Sequence, residues 1–139
     1  MNVLVDTSIW SLALRRKAHN LNPVEGAAVA ELTNLIKEGR ARIIGLVRQE
    51  LLSGIKTAGQ YEKLRVVLRS FPDEPIATAD YEAAAKASND CRAHGVAVSV
   101  SDILLCAMAI ARDWSIFAAD PDFKSYARFL PLKLHTPRK

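Results

Sequence analysis

Short apolar runs alternate with longer amphipathic segments along this chain of 139 residues. The runs predict buried strands, because a strand covered on both faces is a short continuous apolar stretch bounded by turn residues. The expected strands are Asn2–Val5, Arg42–Gly45, Trp114–Ala118 and Leu132–Leu134, with Pro75–Ala77 as a further candidate.

The segments between these runs carry apolar residues at the spacing of amphipathic helices. Hydroxyl residues mark helix starts, so Thr7 or Ser8 is the expected cap of the first helix and Ser101 that of a late one. Glycines such as Gly39 and Gly95 mark helix ends. The expected helices run from the first cap to Arg15 and over Val24–Lys37, Leu46–Ser53, Gln60–Ser70, Thr78–His94 and Asp102–Arg112, with a short one starting at Asp120.

Strands that alternate with helices indicate the α/β class, with a short, mostly parallel central sheet flanked by helices. The length fits a single domain over residues 1–139. The chain has no apolar stretch of about 18 residues, and its first apolar run is too short for a signal peptide. A cytoplasmic protein without a membrane span is therefore expected, in which Cys106 is a reduced core thiol and forms no disulfide with Cys91.

The net charge of +4 reflects several clusters of basic residues, among them Arg15, Arg16 and Lys17. Such clusters most often form solvated faces. A mildly basic surface is also compatible with a phosphate-bearing partner, so the charge favours nucleic acid only slightly.

Acidic residues fall where the predicted strands and helices meet. Asp6 directly follows the first strand, and Asp120 follows the strand Trp114–Ala118. Because ligands of open parallel sheets bind beyond the carboxyl ends of the strands, these two carboxylates are expected at one edge. Asp102, in the first turn of its helix, and Glu50, in the helix after the second strand, are expected at the same edge.

Carboxylates that meet repel one another, and two unit charges 4 Å apart cost about 4 kcal/mol at an effective dielectric of 20. A cation relieves this repulsion, as does protonation, and a small set of oxygen ligands suits Mg²⁺ or Mn²⁺ rather than Zn²⁺. Plainer interpretations stay open for Asp102 as a helix-dipole residue, Asp120 as a helix cap and Glu50 as a surface acid. Asp6 is the hardest to explain in that way.

Four stretches together resemble the PIN-domain ribonucleases, specifically the VapC-type toxins of bacterial toxin–antitoxin pairs. The resemblance covers nearly the whole chain and follows the family's order and distances. Its stretches are VLVDTSIW at the first strand, RQELLSG, SVSDILLCAMAIARDW on a late helix and FAADPDF at a late strand and turn.

The resemblance implies an acidic quartet of Asp6, Glu50, Asp102 and Asp120. Asp6 and Asp102 would be the principal ligands of Mg²⁺ or Mn²⁺, and Glu50 and Asp120 would complete the pocket. Asp122 is a possible fifth acid and, with equal weight, an ordinary first-turn helix residue. Ser8 is a candidate hydrogen-bond donor in the site, with a helix cap as its simpler role. The family often has Thr or Ser before the fourth acid, where this chain has Ala118 and Ala119.

The implied activity is cleavage of single-stranded RNA by a metal-activated water, without a catalytic histidine. His19, His94 and His135 are accordingly expected to be surface residues. The implied partners are RNA, a second copy of the chain in a homodimer, and a small antitoxin that covers the site. Leu12, Leu32 and Leu35 are candidates for the antitoxin groove, with plain core residues as the alternative.

Two other classes of function compete with this interpretation. One is an RNA- or protein-binding module on the same fold, which would bind without cleaving; the complete set of acids disfavours it. The other is a phosphotransfer domain with Asp6 as nucleophile. Haloacid dehalogenase-like domains have a second Asp two residues on, where this chain has Ser8.

Overall fold

The computed structural model describes residues 1–138, in which three short strands alternate with helices. The strands are β1 (Val3–Val5), β2 (Ala41–Arg42) and β3 (Ser115–Phe117). The helices are α1 (Thr7–Leu14), α2 (Pro23–Lys37), α3 (Gly45–Leu52), α4 (Ala58–Leu68), α5 (Thr78–Ala93), α6 (Val100–Arg112) and α7 (Asp122–Tyr126), with a 3₁₀ turn at Ala18–Asn20.

The three strands form one parallel sheet in the order β2-β1-β3. Val3 pairs with Ala41 on one side, and the whole of β1 pairs with Ser115–Phe117 on the other. The amide of Asp6 continues this pairing by donating to the carbonyl of Phe117 at 2.9 Å. The expected parallel sheet with flanking helices is confirmed, and the carboxyl ends of β1 and β3 lie side by side.

Three of the expected strands are absent or shorter than predicted. Pro75–Ala77 forms no strand, since Pro75 has no amide hydrogen to donate and Ile43 instead pairs in a single bridge with Asp73. The strand expected over Arg42–Gly45 is Ala41–Arg42, because Gly45 already belongs to α3. The strand expected over Leu132–Leu134 is only one bridge, which joins Leu134 to Ile116.

Two helix caps also differ from the prediction. Asp6, rather than Thr7 or Ser8, caps α1, and its Oδ2 accepts from the amide of Ser8 at 3.0 Å. Ser99 rather than Ser101 caps α6, because the extended backbone of Ser99 (φ −83°, ψ 158°) lets its Oγ accept from the amide of Asp102 at 3.1 Å. Ser101 therefore lies within the first turn of α6, where its side chain is available for another contact.

The buried apolar residues form one continuous cluster around the sheet, in which β1 is fully buried and α6 contributes the longest buried run. Leu12, Leu32 and Leu35 are 7%, 1% and 0% exposed, so the prediction that they line a groove is wrong and they are core residues. Cys91 and Cys106 are buried, unpaired thiols, as expected. No helix in the described part of the chain has both the length and the apolar composition to cross a bilayer.

Candidate active site

Asp6 lies at the carboxyl end of β1 and is only 6% exposed. Its Oδ2 accepts two hydrogen bonds from Ser8, one from the amide at 3.0 Å and one from the hydroxyl at 2.6 Å. Burial raises the pKa of Asp6 above its ordinary value although these hydrogen bonds oppose the shift, and the charge of Glu50 raises it further. An ionised Asp6 is therefore an unfavourable buried charge in the absence of a cation.

Ser8 connects the two strand ends that carry acids. While its hydroxyl donates to Asp6, its Oγ accepts from the amide of Ala119 at 2.9 Å. Ala119 immediately precedes Asp120 in the loop after β3. The predicted hydrogen bond of Ser8 in the site is thus present, and its simpler role as a helix cap is wrong because Asp6 is the cap.

Glu50 projects from α3 and joins the N-terminal turns of two other helices. Its Oε1 accepts from the Thr7 hydroxyl at 2.6 Å, and its Oε2 accepts from the Ser101 hydroxyl at 3.0 Å. Although Glu50 is exposed, both of its carboxylate oxygens are held by donors. Glu50 therefore has a fixed orientation at the border of the site, unlike a free surface acid.

Asp102 lies in the first turn of α6 and is partly buried. Its Oδ2 accepts from the hydroxyl of Tyr126 at 3.0 Å. Burial raises the pKa of Asp102, and the negative charges of Asp6 and Asp120 raise it further against the opposing hydrogen bonds. Burial and the charge of Asp102 also raise the pKa of Tyr126 well above its usual range, so the phenol stays protonated and continues to donate.

Asp120 and Asp122 complete the group from the loop after β3. One carboxylate oxygen from each of Asp102, Asp120 and Asp122 lies within 4.8 Å of the other two. Asp120 is itself held in place, because its Oδ1 accepts from the amide of Asp122 at 2.9 Å. This trio places Asp122 with the expected acids, while Asp6 and Glu50 border it.

In the described part of the chain, the five acids stand without a cationic partner. Between residues 1 and 138, no Lys, Arg or His forms an ion pair with Asp6, Glu50, Asp102, Asp120 or Asp122. Several carboxylate oxygens converging without a cation are the donor set that Mg²⁺ or Mn²⁺ accepts. The residues present therefore fit a divalent metal ion of this hard, oxygen-preferring kind.

The histidines stand apart from this site. His19 and His94 are exposed, as expected. His135 is not a surface residue, because its side chain is only 15% exposed and its Nε2 lies 2.6 Å from Oε2 of the buried Glu31. None of the three belongs to the carboxylate group described above.

Comparison with known proteins identifies the family to which this fold belongs. The family model of the PIN domain matches residues 3–129, which is most of the chain. The chain belongs to the PIN-domain family. Its curated relatives include VapC ribonuclease Mb1587 of Mycobacterium bovis and ribonuclease VapC11 of Mycobacterium tuberculosis. Each is 30% identical over 135 residues, covering 94% of this chain and 96% of the relative. The resemblance to VapC-type PIN domains is confirmed.

Solved structures show the same PIN fold at lower sequence identity. FitAcB from Neisseria gonorrhoeae superposes with a TM-score of 0.75 at 19% identity, covering 97% of each chain. VapBC2 from Rickettsia felis, bound to a DNA fragment from its promoter, gives a TM-score of 0.72 at 18% identity, covering 97% of this chain and 98% of that one. At these identities the likeness supports the fold alone.

Sequence reasoning missed three hydroxyl contacts of this PIN domain. The local sequence indicates Thr7 and Ser101 only as helix caps, yet both donate a hydrogen bond to Glu50. Tyr126 was not considered, although it lies four residues after Asp122, a spacing that places two side chains on one helix face. That spacing was the available signal for Tyr126, whereas nothing local to Thr7 or Ser101 indicates a partner on α3.

Proposed function

We propose that this PIN domain, acting as one domain over residues 1–139, is a metal-dependent endoribonuclease of the toxin–antitoxin type. It cleaves single-stranded regions of RNA with Mg²⁺ or Mn²⁺. The observation that carries the proposal is the trio of Asp102, Asp120 and Asp122, whose carboxylate oxygens lie within 4.8 Å of one another, with Asp6 close enough for its charge to raise the pKa of Asp102. None of these four acids has a cationic partner within residues 1–138. Curated relatives that are named ribonucleases support the same reaction.

Asp102, Asp120 and Asp122, with Asp6 beside them, would hold the ion. When bound, a divalent ion offsets negative charge on a phosphate oxygen and lowers the pKa of a bound water. Asp6, Asp102 and Asp120 each have one oxygen held by a hydroxyl or an amide, which leaves the other oxygen for a ligand. The protein thereby orients its ligand oxygens before the ion arrives.

Glu50 has a different role in this proposal. Both of its oxygens already accept from hydroxyls, from Thr7 and from Ser101, so it is poorly suited to direct ligation. The remaining lone pairs of these oxygens can accept a hydrogen bond from the attacking water. Glu50 would therefore orient that water, and its negative charge would add to the attraction for a cation.

Substrate attraction comes from the basic surface rather than from the acids. Arg15 and Lys17 are exposed at the end of α1, and they would steer the phosphate backbone towards the site. Arg16 is less available, because it pairs with Glu25 at 3.3 Å and donates to the carbonyl of Asn20 at 3.0 Å.

The test is cleavage of labelled single-stranded RNA with Mg²⁺, with Mn²⁺ and with excess chelator. We expect internal cleavage that stops in chelator and returns when the ion is restored. Undiminished cleavage in chelator would contradict the proposal. Salt-dependent RNA binding without cleavage under every divalent ion would instead favour the binding module, and a phosphoaspartate trapped at Asp6 would favour phosphotransfer.

A cleft of about 500 Å³ between α1, the α3–α4 loop and α4 replaces the predicted antitoxin groove. Its floor is aliphatic and includes Leu14, Ile55 and Leu64. Three basic residues, Arg15, Lys56 and Lys63, line its rim. An acidic amphipathic helix matches this combination better than RNA, since the lining lacks the aromatic side chains on which unpaired bases stack. We assign this cleft to the antitoxin.

The expected antitoxin would be encoded by a short open reading frame immediately upstream of this chain's gene, and coexpression with that product tests the assignment. The variant with Lys56→Glu and Lys63→Glu should lose copurification, whereas the control Lys86→Glu, on the exposed side of α5, should retain it. Equal copurification of both variants would exclude this cleft as the antitoxin site.

A homodimer and a cytoplasmic location complete the proposal, and light scattering at twice the chain's mass would support the dimer.

A further inference from the structure

Tyr126 is the last residue of α7 and is only 2% exposed. Its ring packs edge-on against Phe123, with ring centroids 5.4 Å apart and an interplanar angle of 78°. Its hydroxyl donates to Oδ2 of Asp102 at 3.0 Å. A buried phenol thus directs its polar end towards a carboxylate of the site.

This hydrogen bond joins the two elements that carry the carboxylate trio. Asp122 is the first residue of α7, Asp120 lies in the loop just before it, and Asp102 lies on α6. The three contributed oxygens lie within 4.8 Å of one another. The contact from Tyr126 to Asp102 therefore connects the α7 half of the trio to the α6 half.

The ring and the hydroxyl of Tyr126 have separate roles, one in packing and one in hydrogen bonding. The ring packs in the core with Phe123, and a phenylalanine would preserve that packing. The hydroxyl donates its hydrogen bond to the side chain of Asp102. The buried indole of Trp10, by contrast, donates only to the backbone, to the carbonyl of Val5 at 3.1 Å. What the hydroxyl adds beyond packing is thus directed at a candidate ligand.

We propose that Tyr126 is a positioning residue of the metal site: its hydroxyl holds Oδ2 of Asp102, turns Oδ1 towards the ion and keeps α7 at the distance from α6 that the trio needs. This inference rests on the proposed function, because it takes Asp102 as a metal ligand. Outer partners that orient a ligand commonly change metal affinity by roughly 10–100-fold when they are removed.

The test compares Tyr126→Phe with the control Tyr81→Phe, since Tyr81 is 57% exposed on α5. Mn²⁺ binding to the RNA-free protein is measured by electron paramagnetic resonance. The dissociation constant should rise roughly 10–100-fold in Tyr126→Phe and stay unchanged in Tyr81→Phe. In RNA cleavage, the Mn²⁺ concentration for half-maximal rate should rise by the same factor, while the rate at saturating Mn²⁺ should return towards that of the wild type.

An unchanged Mn²⁺ affinity in Tyr126→Phe would overturn the inference, and so would a lowered melting temperature with unchanged affinity, because that result marks a purely structural role. If the wild type binds no Mn²⁺, the proposed metal site fails and the inference fails with it. Normal Mn²⁺ binding by both the wild type and Tyr126→Phe would contradict only the role of Tyr126 and would leave the proposed metal site intact.

Discussion

Three acids of this protein are almost fully buried, and the pKa shifts of two of them are opposite in direction to that of the third. Glu31 and Asp80, which are 2% and 7% exposed, contact basic side chains that hold the pKa of each carboxyl below its usual value. Asp6 is 6% exposed, has no such partner within the described chain, and has a raised pKa because it is buried. Equal burial therefore has opposite electrostatic consequences in the two regions.

The paired acids hold distant segments together. Asp80 accepts from both terminal nitrogens of Arg112, at 3.0 and 3.1 Å, which fastens α5 to the end of α6. Glu31 lies within 2.6 Å of His135 and accepts from Arg138 at 2.8 Å, which fastens the C-terminal segment to α2. In each case the cation comes from the chain itself.

The comparison indicates what the acid cluster lacks. Burying an unpaired charge is costly, and proteins usually supply a partner or a metal. Within residues 1–138, the chain supplies basic partners for Glu31 and Asp80 but none for the cluster around Asp6 and Asp102. The charge of that cluster is left to a cation from solution, so its acids should matter for activity while the paired acids should matter for stability.

Replacing a cluster acid should give the largest effect. Asp102→Asn and Asp6→Asn should each lower RNA cleavage by roughly 100- to 1000-fold, the range for losing one electrostatic stabiliser. Both variants should stay folded, because Asn caps α1 about as well as Asp6 does, and because the cap of α6 is Ser99 rather than Asp102. Cleavage assays with circular dichroism measure both effects. The exposed Asp90→Asn serves as the matched control, and full activity of either cluster variant would contradict the comparison.

Removing the partner of a buried acid should instead cost stability. Arg112→Met should lower the free energy of unfolding by about 3 kcal/mol, since Asp80 is left buried without a cation. Urea denaturation measures this change. Arg65→Met removes a surface pair with Glu62 and should change stability little. An equal loss of stability in Arg112→Met and Arg65→Met would show that burial of an ion pair does not determine how much the pair stabilises the fold.

A divalent ion should stabilise the cluster and leave the paired acids unaffected. At an ion concentration of about 100 times its dissociation constant, binding adds about 2.7 kcal/mol to the free energy of unfolding. Arg112→Met should retain this gain, and Asp102→Asn should lose it. Thermal melts with and without Mn²⁺ check the result, and a gain that survives in Asp102→Asn would place the ion elsewhere.

The smallest effect concerns pH. Because the pKa of Asp80 is lowered in the folded state, its contribution is complete above the unfolded value of about 3.9 and is lost as the pH falls through the folded value. Without Arg112, burial raises the pKa of Asp80, so the stability gap between wild type and Arg112→Met should be full at neutral pH, narrow as the pH falls, and close below the lowered pKa of Asp80 in the wild type. Denaturation curves from neutral pH downwards measure the gap. A constant gap would show that Arg112 acts through packing.

Local signals predicted much of the fold, with errors at the points where distant segments compete. The stop at Gly39 and the stripe with Leu32 predicted α2 nearly to its bounds. The cap of α6 was misplaced because Ser99 and Ser101 are equally good caps locally, and the contact of Ser101 with Glu50 on α3 is invisible in the sequence. The prediction of a strand at Pro75–Ala77 was wrong for a similar reason, since the bridge partner of Ile43 is Asp73.

The candidate site likewise contains some residues that local sequence predicts and others that only contacts between distant segments reveal. Asp6, Asp102 and Asp120 were predicted because strand ends and helix starts are local features that fix where a carboxylate emerges, whereas the resemblance to PIN-domain sequences implied Glu50. Tyr126 was missed, and the cation partners of Glu31 were not foreseen. These contacts join residues far apart in the chain, such as His135 and Glu31 at a separation of 104 positions.

The sequence by itself determined the alternation of strands and helices, the parallel sheet and the acids that end its strands, because each depends on a few neighbouring residues. Only the tertiary structure decided which charges are compensated. Ser8 reaches Ala119 across 111 positions, and Arg112 reaches Asp80 rather than a cluster acid. Burial and the approach of distant side chains set the pKa values, and packing of the whole chain determines both.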